Sequence, residues 1–377
     1  MTIFSLTEAE LRQRRSLKWQ TYDADVLPLW VAEMDSAMLP AVRASLDAAL
    51  DHGDTGYPFG DDYADAYRAS AAARWGLDLA AQQVRRGGDV MNAVLCVLEA
   101  TTNPGDGIVI TTPVYPPFWQ VTNGYRRHTV PVALTAEGRL DLDALAAAFA
   151  EPDVTAFLLC SPHNPTGTVH TAQELTAVAE LCVAHGVQLV VDEIHAWLID
   201  PGTTFVPTLA VPAAQRAVVV TSAGKSWNLA AFKAGLYIAG SEADGAVRRL
   251  PPLALQSTGH LGAIAHTAAL RHGQDWVDQA SAEIAAHKRL LTDLLHALLP
   301  GARYRAEPGT YLAWVDCTRL GLEDPYAHFL TAGRVAFSPG RNFSPEHRQW
   351  VRINLAASPT MITRAVERMA ASLRLAA

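Results

Sequence analysis

Residues 154–195 read VTAFLLCSPHNPTGTVHTAQELTAVAELCVAHGVQLVVDEIH, and this stretch decides the fold. Val154–Cys160 is a seven-residue apolar run rich in strand formers, and Val187–Glu193 is a second. Neither alternates with polar residues, so each suits a strand covered on both faces. Between them Thr171–His185 carries helical periodicity, with Gly186 as its stop. Strand, helix, strand over some forty residues is a βαβ unit, which implies a mostly parallel sheet between helices.

The same texture extends both ways. Ile108–Thr112, Ala217–Ser222 and Gly235–Gly240 read as further strands of that sheet. Past about residue 275 the pattern changes. A long amphipathic helix is expected over Trp276–Leu299, ended by Pro300-Gly301. Short strands follow at Tyr311–Val315, Arg334–Phe337 and Val351–Leu355, with a closing helix near Pro359–Leu375. We therefore expect an α/β chain in three parts. Residues 1–42 form an N-terminal segment packing with the small domain, 43–275 a large domain, and 276–377 a small C-terminal α+β domain. No repeat or low-complexity linker separates them.

Composition narrows the function. The 377 residues are 50% hydrophobic and 18% charged, with net charge −8, so a large core is available and disorder is excluded. A pI near 5.9 argues against a nucleic-acid partner. No apolar run approaches the roughly 18 residues that cross a bilayer, and the first twenty residues lack a signal-peptide pattern. Cys96, Cys160, Cys182 and Cys317 form no C-x-x-C pair, which suits a reducing compartment; a cytoplasmic protein is expected. The thirteen histidines are scattered without H-E-x-x-H, so no metal site is expected.

Chemistry-bearing residues cluster where strands end, the usual ligand edge of a parallel sheet. Ser161–Gly167 is a rigid, proline-rich turn able to hold the Asn164 amide in place, although a plain β-to-α connection would also look like this. Asp192-Glu193-Ile194-His195 places acids at the end of an apolar strand. A desolvated carboxylate there needs a cation or donors; a helix cap or structural ion pair would also serve. Lys225 lies in the hydroxyl-rich loop Thr221–Asn228, and Lys233 follows eight residues later. A single lysine is ordinarily just solvated, but the pair suits an anionic ligand. The loop is not a Walker motif.

Taken in order, these motifs resemble the pyridoxal-phosphate enzymes of fold type I, the aspartate aminotransferase superfamily. Within it the chain is most similar to the cystathionine β-lyase branch that includes the MalY and PatB carbon–sulfur lyases. The resemblance rests on Trp30-Val31-Ala32-Glu33-Met34-Asp35, Gly56-Tyr57, Thr112–Phe118 (TPVYPPF), Pro162–Gly167 (PHNPTG), Asp192–His195, Gly309–Trp314 and Val351–Ala356. It spans nearly the whole chain.

The resemblance implies roles for particular residues. Lys225 matches the lysine that carries pyridoxal 5′-phosphate covalently and later takes the substrate's Cα proton. Asp192 matches the acid at the pyridine nitrogen, and Tyr115 the aromatic stacked on the ring and counted among the catalytic groups. Asn164 matches the donor to the ring oxygen. His195 stands where many relatives carry tyrosine, and contact with the cofactor is left open. Ser222, Lys233 and the backbone amides of Val90 and Met91 match the phosphate ligands, at a helix N-terminus. Tyr57 matches a tyrosine reaching the neighbouring subunit's phosphate, which implies a homodimer with shared sites. Arg352 matches the fork for the substrate carboxylate, with Ala32 and Asn164 beside the substrate.

The chain also departs from the branch. Asp89 sits in the phosphate turn, where a carboxylate would repel the ligand; it is expected to point away, or the register to be one residue off. Lys233 replaces a common arginine, Glu33 an aspartate, Ser36 an aromatic and Thr168 a basic residue. The branch implies α,β-elimination from L-cystathionine or another L-cysteine S-conjugate, yielding pyruvate, ammonia and a thiol. The alternative is an aminotransferase of the same fold acting on an L-amino acid and a 2-oxo acid. A non-catalytic regulator that kept the fold stays open, though Lys225, Asp192 and Arg352 are all retained. Aromatic residues available for the thioether side are Trp30, Phe59, Tyr115, Trp227 and Trp314.

Overall fold

The computed structural model describes residues 2–374. Its main sheet has seven strands, here numbered in chain order: β1 (Val84–Gly87), β2 (Gly107–Thr112), β3 (His128–Ala133), β4 (Val154–Cys160), β5 (Gln188–Asp192), β6 (Val218–Thr221) and β7 (Gly235–Ala239). Their spatial order is β1-β7-β6-β5-β4-β2-β3. The pairings β2 with β3, β2 with β4, β4 with β5 and β5 with β6 are parallel, while β7 runs antiparallel to both its neighbours. The sheet is therefore mixed but mostly parallel, with helices on both sides.

Alternation across the pleat explains the continuous apolar runs. Phe157, Leu159, Leu189 and Val191 face one buried cluster. Ala156, Leu158, Val190 and Val218 face another on the opposite side. The helix Ala172–His185 begins with a capping box between Thr171 and Glu174 and ends at Gly186, whose φ of +70° favours glycine. Two strands escape the sequence reading. β1 is only four residues long, and β3 carries Pro131, which its place at the sheet edge tolerates.

The C-terminal part is built on a four-stranded antiparallel sheet, in the order Ser338–Pro339, Trp350–Asn354, Leu312–Asp316, Arg303–Tyr304. The long helix spans Gln274–Leu298, and the closing helix runs from Pro359 to Arg374; its expected end, Leu375, lies outside the described residues. Leu27–Pro28 pairs in parallel with Val335–Ala336. Leu11, Trp19, Leu27 and Leu29 share a core with Phe337 and Val351, whereas Ala32, Met34, Leu39 and Val42 belong to the core of the main sheet.

Candidate active site

Register aligns the carboxyl ends of the central strands. Cys160 on β4 pairs with Asp192 on β5, and Asp192 with Val220 on β6. The turns leaving those ends carry Asn164, His195, Ser222 and Lys225. They open onto a cleft of about 890 Å³, also lined by Ala32, Val90, Met91, Tyr115, Lys233 and Arg352. Eleven residues singled out from the sequence thus meet in one place. Tyr57 does not: its side chain lies outside the cleft, in a residue 98% exposed.

Asp192 is buried, and among the described residues its carboxylate accepts one hydrogen bond, from the Ile194 N–H at 3.0 Å. Burial raises its pKa to about 7, against the opposing effects of that bond and the Lys225 charge. Lys225 Nζ donates to the Ala32 carbonyl at 2.8 Å. Burial and then the Arg352 charge push its pKa down to about 8, opposed by Glu33 and Asp192. Arg352 donates to Asn164 Oδ1 at 3.0 Å, and to the Trp30 carbonyl and Ser338 Oγ at 3.2 Å each. Its guanidinium lies over the Phe343 ring at 4.9 Å. His195 is kept neutral, burial pushing its pKa down to about 3.

At the other end of the cleft, Val90 opens the helix Val90–Thr101, with Asp89 as its N-cap. The Asp89 carboxylate accepts from the Asn92 N–H at 3.0 Å and pairs with Lys233 at 2.9 Å. The expectation that Asp89 points away is therefore corrected: it lines the cleft, drawn there by capping and by the lysine. Ser222 Oγ donates to the Ala234 carbonyl at 2.7 Å and accepts the Gly224 N–H at 3.0 Å.

Two of the aromatic candidates for the thioether side are also corrected, Trp227 and Trp314. Trp227 is buried against Trp197 and donates its indole N–H to the Gly273 carbonyl at 2.8 Å. Trp314 stacks on Trp350 at 5.3 Å. Phe59 is 95% exposed, away from its own chain's cleft. Cys160 and Phe232 also line the cleft, without a motif that marks them, as does Ile194 between Glu193 and His195. The pairing of Cys160 with Asp192 is the signal that would have found the first; Phe232 adjoins Lys233.

These residues fit a group with an anionic end, a ring bearing a cationic N–H and an electrophile facing Lys225. Asp192 is short of donors. Buried His195 Nδ1 and Arg352 Nε lack partners among the described residues. A helix N-terminus and Lys233 offer an anion seat. That is the donor set pyridoxal phosphate requires.

Comparison with known proteins agrees. The model of the family "Aminotransferase class I and II" matches residues 24–369. A Mycobacterium tuberculosis (strain H37Rv) relative named "Putative cystathionine beta-lyase" is 44% identical, over 98% of this chain and 97% of its own. Cystathionine beta-lyase PatB of Bacillus subtilis is 30% identical, over 95% of this chain and 97% of its own. The crystal structure of a Corynebacterium diphtheriae protein titled a "putative plp-dependent beta-cystathionase" superposes with TM-score 0.93 at 29% identity, covering 99% of both chains.

Proposed function

Because the chain belongs to the class I and II aminotransferase family, we propose that it is a pyridoxal-5′-phosphate-dependent carbon–sulfur β-lyase. Its substrates are L-cystathionine or related L-cysteine S-conjugates, split with water into pyruvate, ammonia and a thiol. The carrying observation is that Lys225, Asp192 and Arg352, from three distant segments, line one cleft. The names of the relatives favour elimination over transfer.

When bound, the cofactor supplies an aldehyde that takes up the amino group and a protonated ring that draws electrons from Cα. Asp192 would hold a proton at the ring nitrogen. Lys225 Nζ would hold the aldehyde and, when free, take up the Cα proton; a pKa of about 8 leaves part of it unprotonated near neutrality. Arg352 grips the α-carboxylate and, held by Asn164 and Ser338, orients the Cα–H bond. Tyr115 would pack on the ring, and Lys233, Ser222 and the amides of Val90 and Met91 would hold the phosphate. The test is L-cystathionine without any added oxo acid: pyruvate release supports the lyase, and strict dependence on an oxo acid supports an aminotransferase.

The same reading includes a homodimer. Tyr57 and Phe59 are 98% and 95% exposed, which suits burial against a second copy, with Tyr57 reaching the partner's phosphate. Fully active monomer in sedimentation at assay concentration would remove this assembly. No helix among the described residues is long and apolar enough to cross a membrane. With all four cysteines free, the cytoplasm is the compartment we propose. We also keep the three parts 1–42, 43–275 and 276–377, with Leu11, Trp19, Leu27 and Leu29 packing on the C-terminal sheet, although Ala32, Val42, Val277 and Ile284 share the main sheet's core.

A further inference from the structure

A second groove, of about 830 Å³, adjoins the cleft and shares Val31, Tyr115 and Arg352 with it. Its walls come from three parts of the chain. Tyr22 and Trp30 belong to the N-terminal segment, their rings edge to face at 5.7 Å. Tyr115 is followed by Pro116 and Pro117 at the start of a helix. Tyr326 and Phe343 belong to the C-terminal part. The Tyr22 and Tyr326 hydroxyls meet at 3.4 Å. The groove thus starts at the guanidinium assigned to the substrate carboxylate and continues as an aromatic-walled channel.

Its charges are already committed. Arg341 pairs with Asp324 at 2.5 Å and lies over the Tyr326 ring at 5.2 Å. Arg352 is held by Asn164, Ser338 and the Trp30 carbonyl and faces the α-carboxylate in the proposed reaction. Among the described residues lining the groove, no further charged side chain occurs. A substituent carrying its own ammonium and carboxylate would have to shed water here without a free charged partner, only hydroxyls and the Asn342 amide, which is costly. An uncharged aromatic or aliphatic group would exchange water for ring faces, which is favourable.

We propose that this groove binds the group attached to sulfur, and that it selects neutral aromatic or apolar substituents over the zwitterionic one of cystathionine. The proposal rests on the lyase reading and narrows its substrate class. The position of Tyr326, more than 200 residues from either Tyr115 or Trp30 in sequence, explains why the motifs do not reveal the groove.

The experiment compares S-benzyl-L-cysteine, S-methyl-L-cysteine and L-cystathionine as substrates of the holoenzyme. It adds calorimetric binding of 2-amino-5-phenylpentanoate and norvaline, the carbon isosteres of the first two, which have no sulfur to expel. We expect kcat/KM for the benzyl conjugate to exceed that for cystathionine by about tenfold or more. The phenyl isostere should bind more tightly than norvaline. In Tyr326→Ala the benzyl-to-methyl ratio should fall by about tenfold, and in Tyr326→Phe, which keeps the ring, it should be restored. Cystathionine turned over as well as the benzyl conjugate, or a ratio unchanged in Tyr326→Ala, would overturn the assignment. Should that variant fail to fold, the substrate series on the native protein still decides. Pyruvate from none of the three, with the phenyl isostere still preferred, would refute the lyase reading and leave the groove's selectivity standing.

Discussion

Replacing Asp192 with asparagine should make the cofactor-free protein more stable while removing its activity. An ordinary aspartate titrates at 3.8, but burial holds this one at about 7 in the folded chain. Below pH 3.8 both states carry the proton and the residue has no effect. Between 3.8 and 7 the unfolded chain releases the proton and the folded chain keeps it. Stability is therefore lost as pH rises through this window, and the loss is complete above 7. At about 1.4 kcal/mol per pH unit, the native residue costs about 2 kcal/mol at pH 5 and about 4 kcal/mol at pH 8. Asparagine keeps an oxygen for the Ile194 N–H and has nothing to ionise. Buried Glu193 is also raised to about 7, after burial in part by the Asp192 charge, so removing that charge lowers its pKa and adds to the variant's advantage at high pH. Urea unfolding of cofactor-stripped protein at pH 5 and pH 8 measures the difference. The advantage of Asp192→Asn should grow with pH by about 3 kcal/mol. An advantage independent of pH, or a loss of stability at pH 8, would show that Asp192 has a strong partner in the cofactor-free protein besides the Ile194 N–H.

Lys225→Ala should abolish turnover and the visible absorbance of covalently held cofactor; retention of either by the purified variant would exclude this amine. Arg352→Ala should raise KM by about a hundredfold for amino acids with a free carboxylate and change it little for the corresponding amides, since the guanidinium acts on that group. Asp89→Asn keeps a helix cap but frees Lys233 and removes a negative charge, so the dissociation constant for the cofactor, measured by equilibrium dialysis, should fall by about threefold. Gly235→Ala should do the opposite, because a Cβ there would meet the Gly88 carbonyl at 2.5 Å and displace the phosphate turn.

The legible part of the site is local. Asn164, Asp192, His195, Ser222 and Lys225 each follow a strand obvious from its apolar run, so strand-end logic alone places them on one edge. Arg352 has no such local mark. Its contact with Asn164 spans 188 residues, and only the family resemblance assigned it. The aromatic candidates fared worst, because composition does not distinguish a ring facing ligand from one filling a core. Trp227 lies two residues from Lys225 and still points into the core. Repulsion from a phosphate is the only effect on Asp89 visible in the motif; the N-cap bond and the lysine 144 residues away, which hold the carboxylate in the cleft, are not.

The segment 30–36 shows why neither sheet could make this site alone. It carries the Ala32 carbonyl that receives Lys225, and it is tied down from several directions. Asn354, on the C-terminal sheet, donates to the Val31 and Glu33 carbonyls at 2.8 and 2.7 Å. Asn228, in the left-handed region at φ +57°, accepts from the Met34 N–H and donates to the Met34 carbonyl, both at 2.9 Å. Lys18 pairs with Asp35 at 2.7 Å, both side chains fully buried. A buried ion pair of this kind is weak evidence for stability, since desolvation offsets much of the attraction. Its value here is positional, because a carbonyl displaced by one residue would leave the amine facing a different group. Lys225 therefore depends on the packing of the C-terminal sheet as much as on its own loop, and the chemistry assigned to it requires the whole chain to fold as one unit.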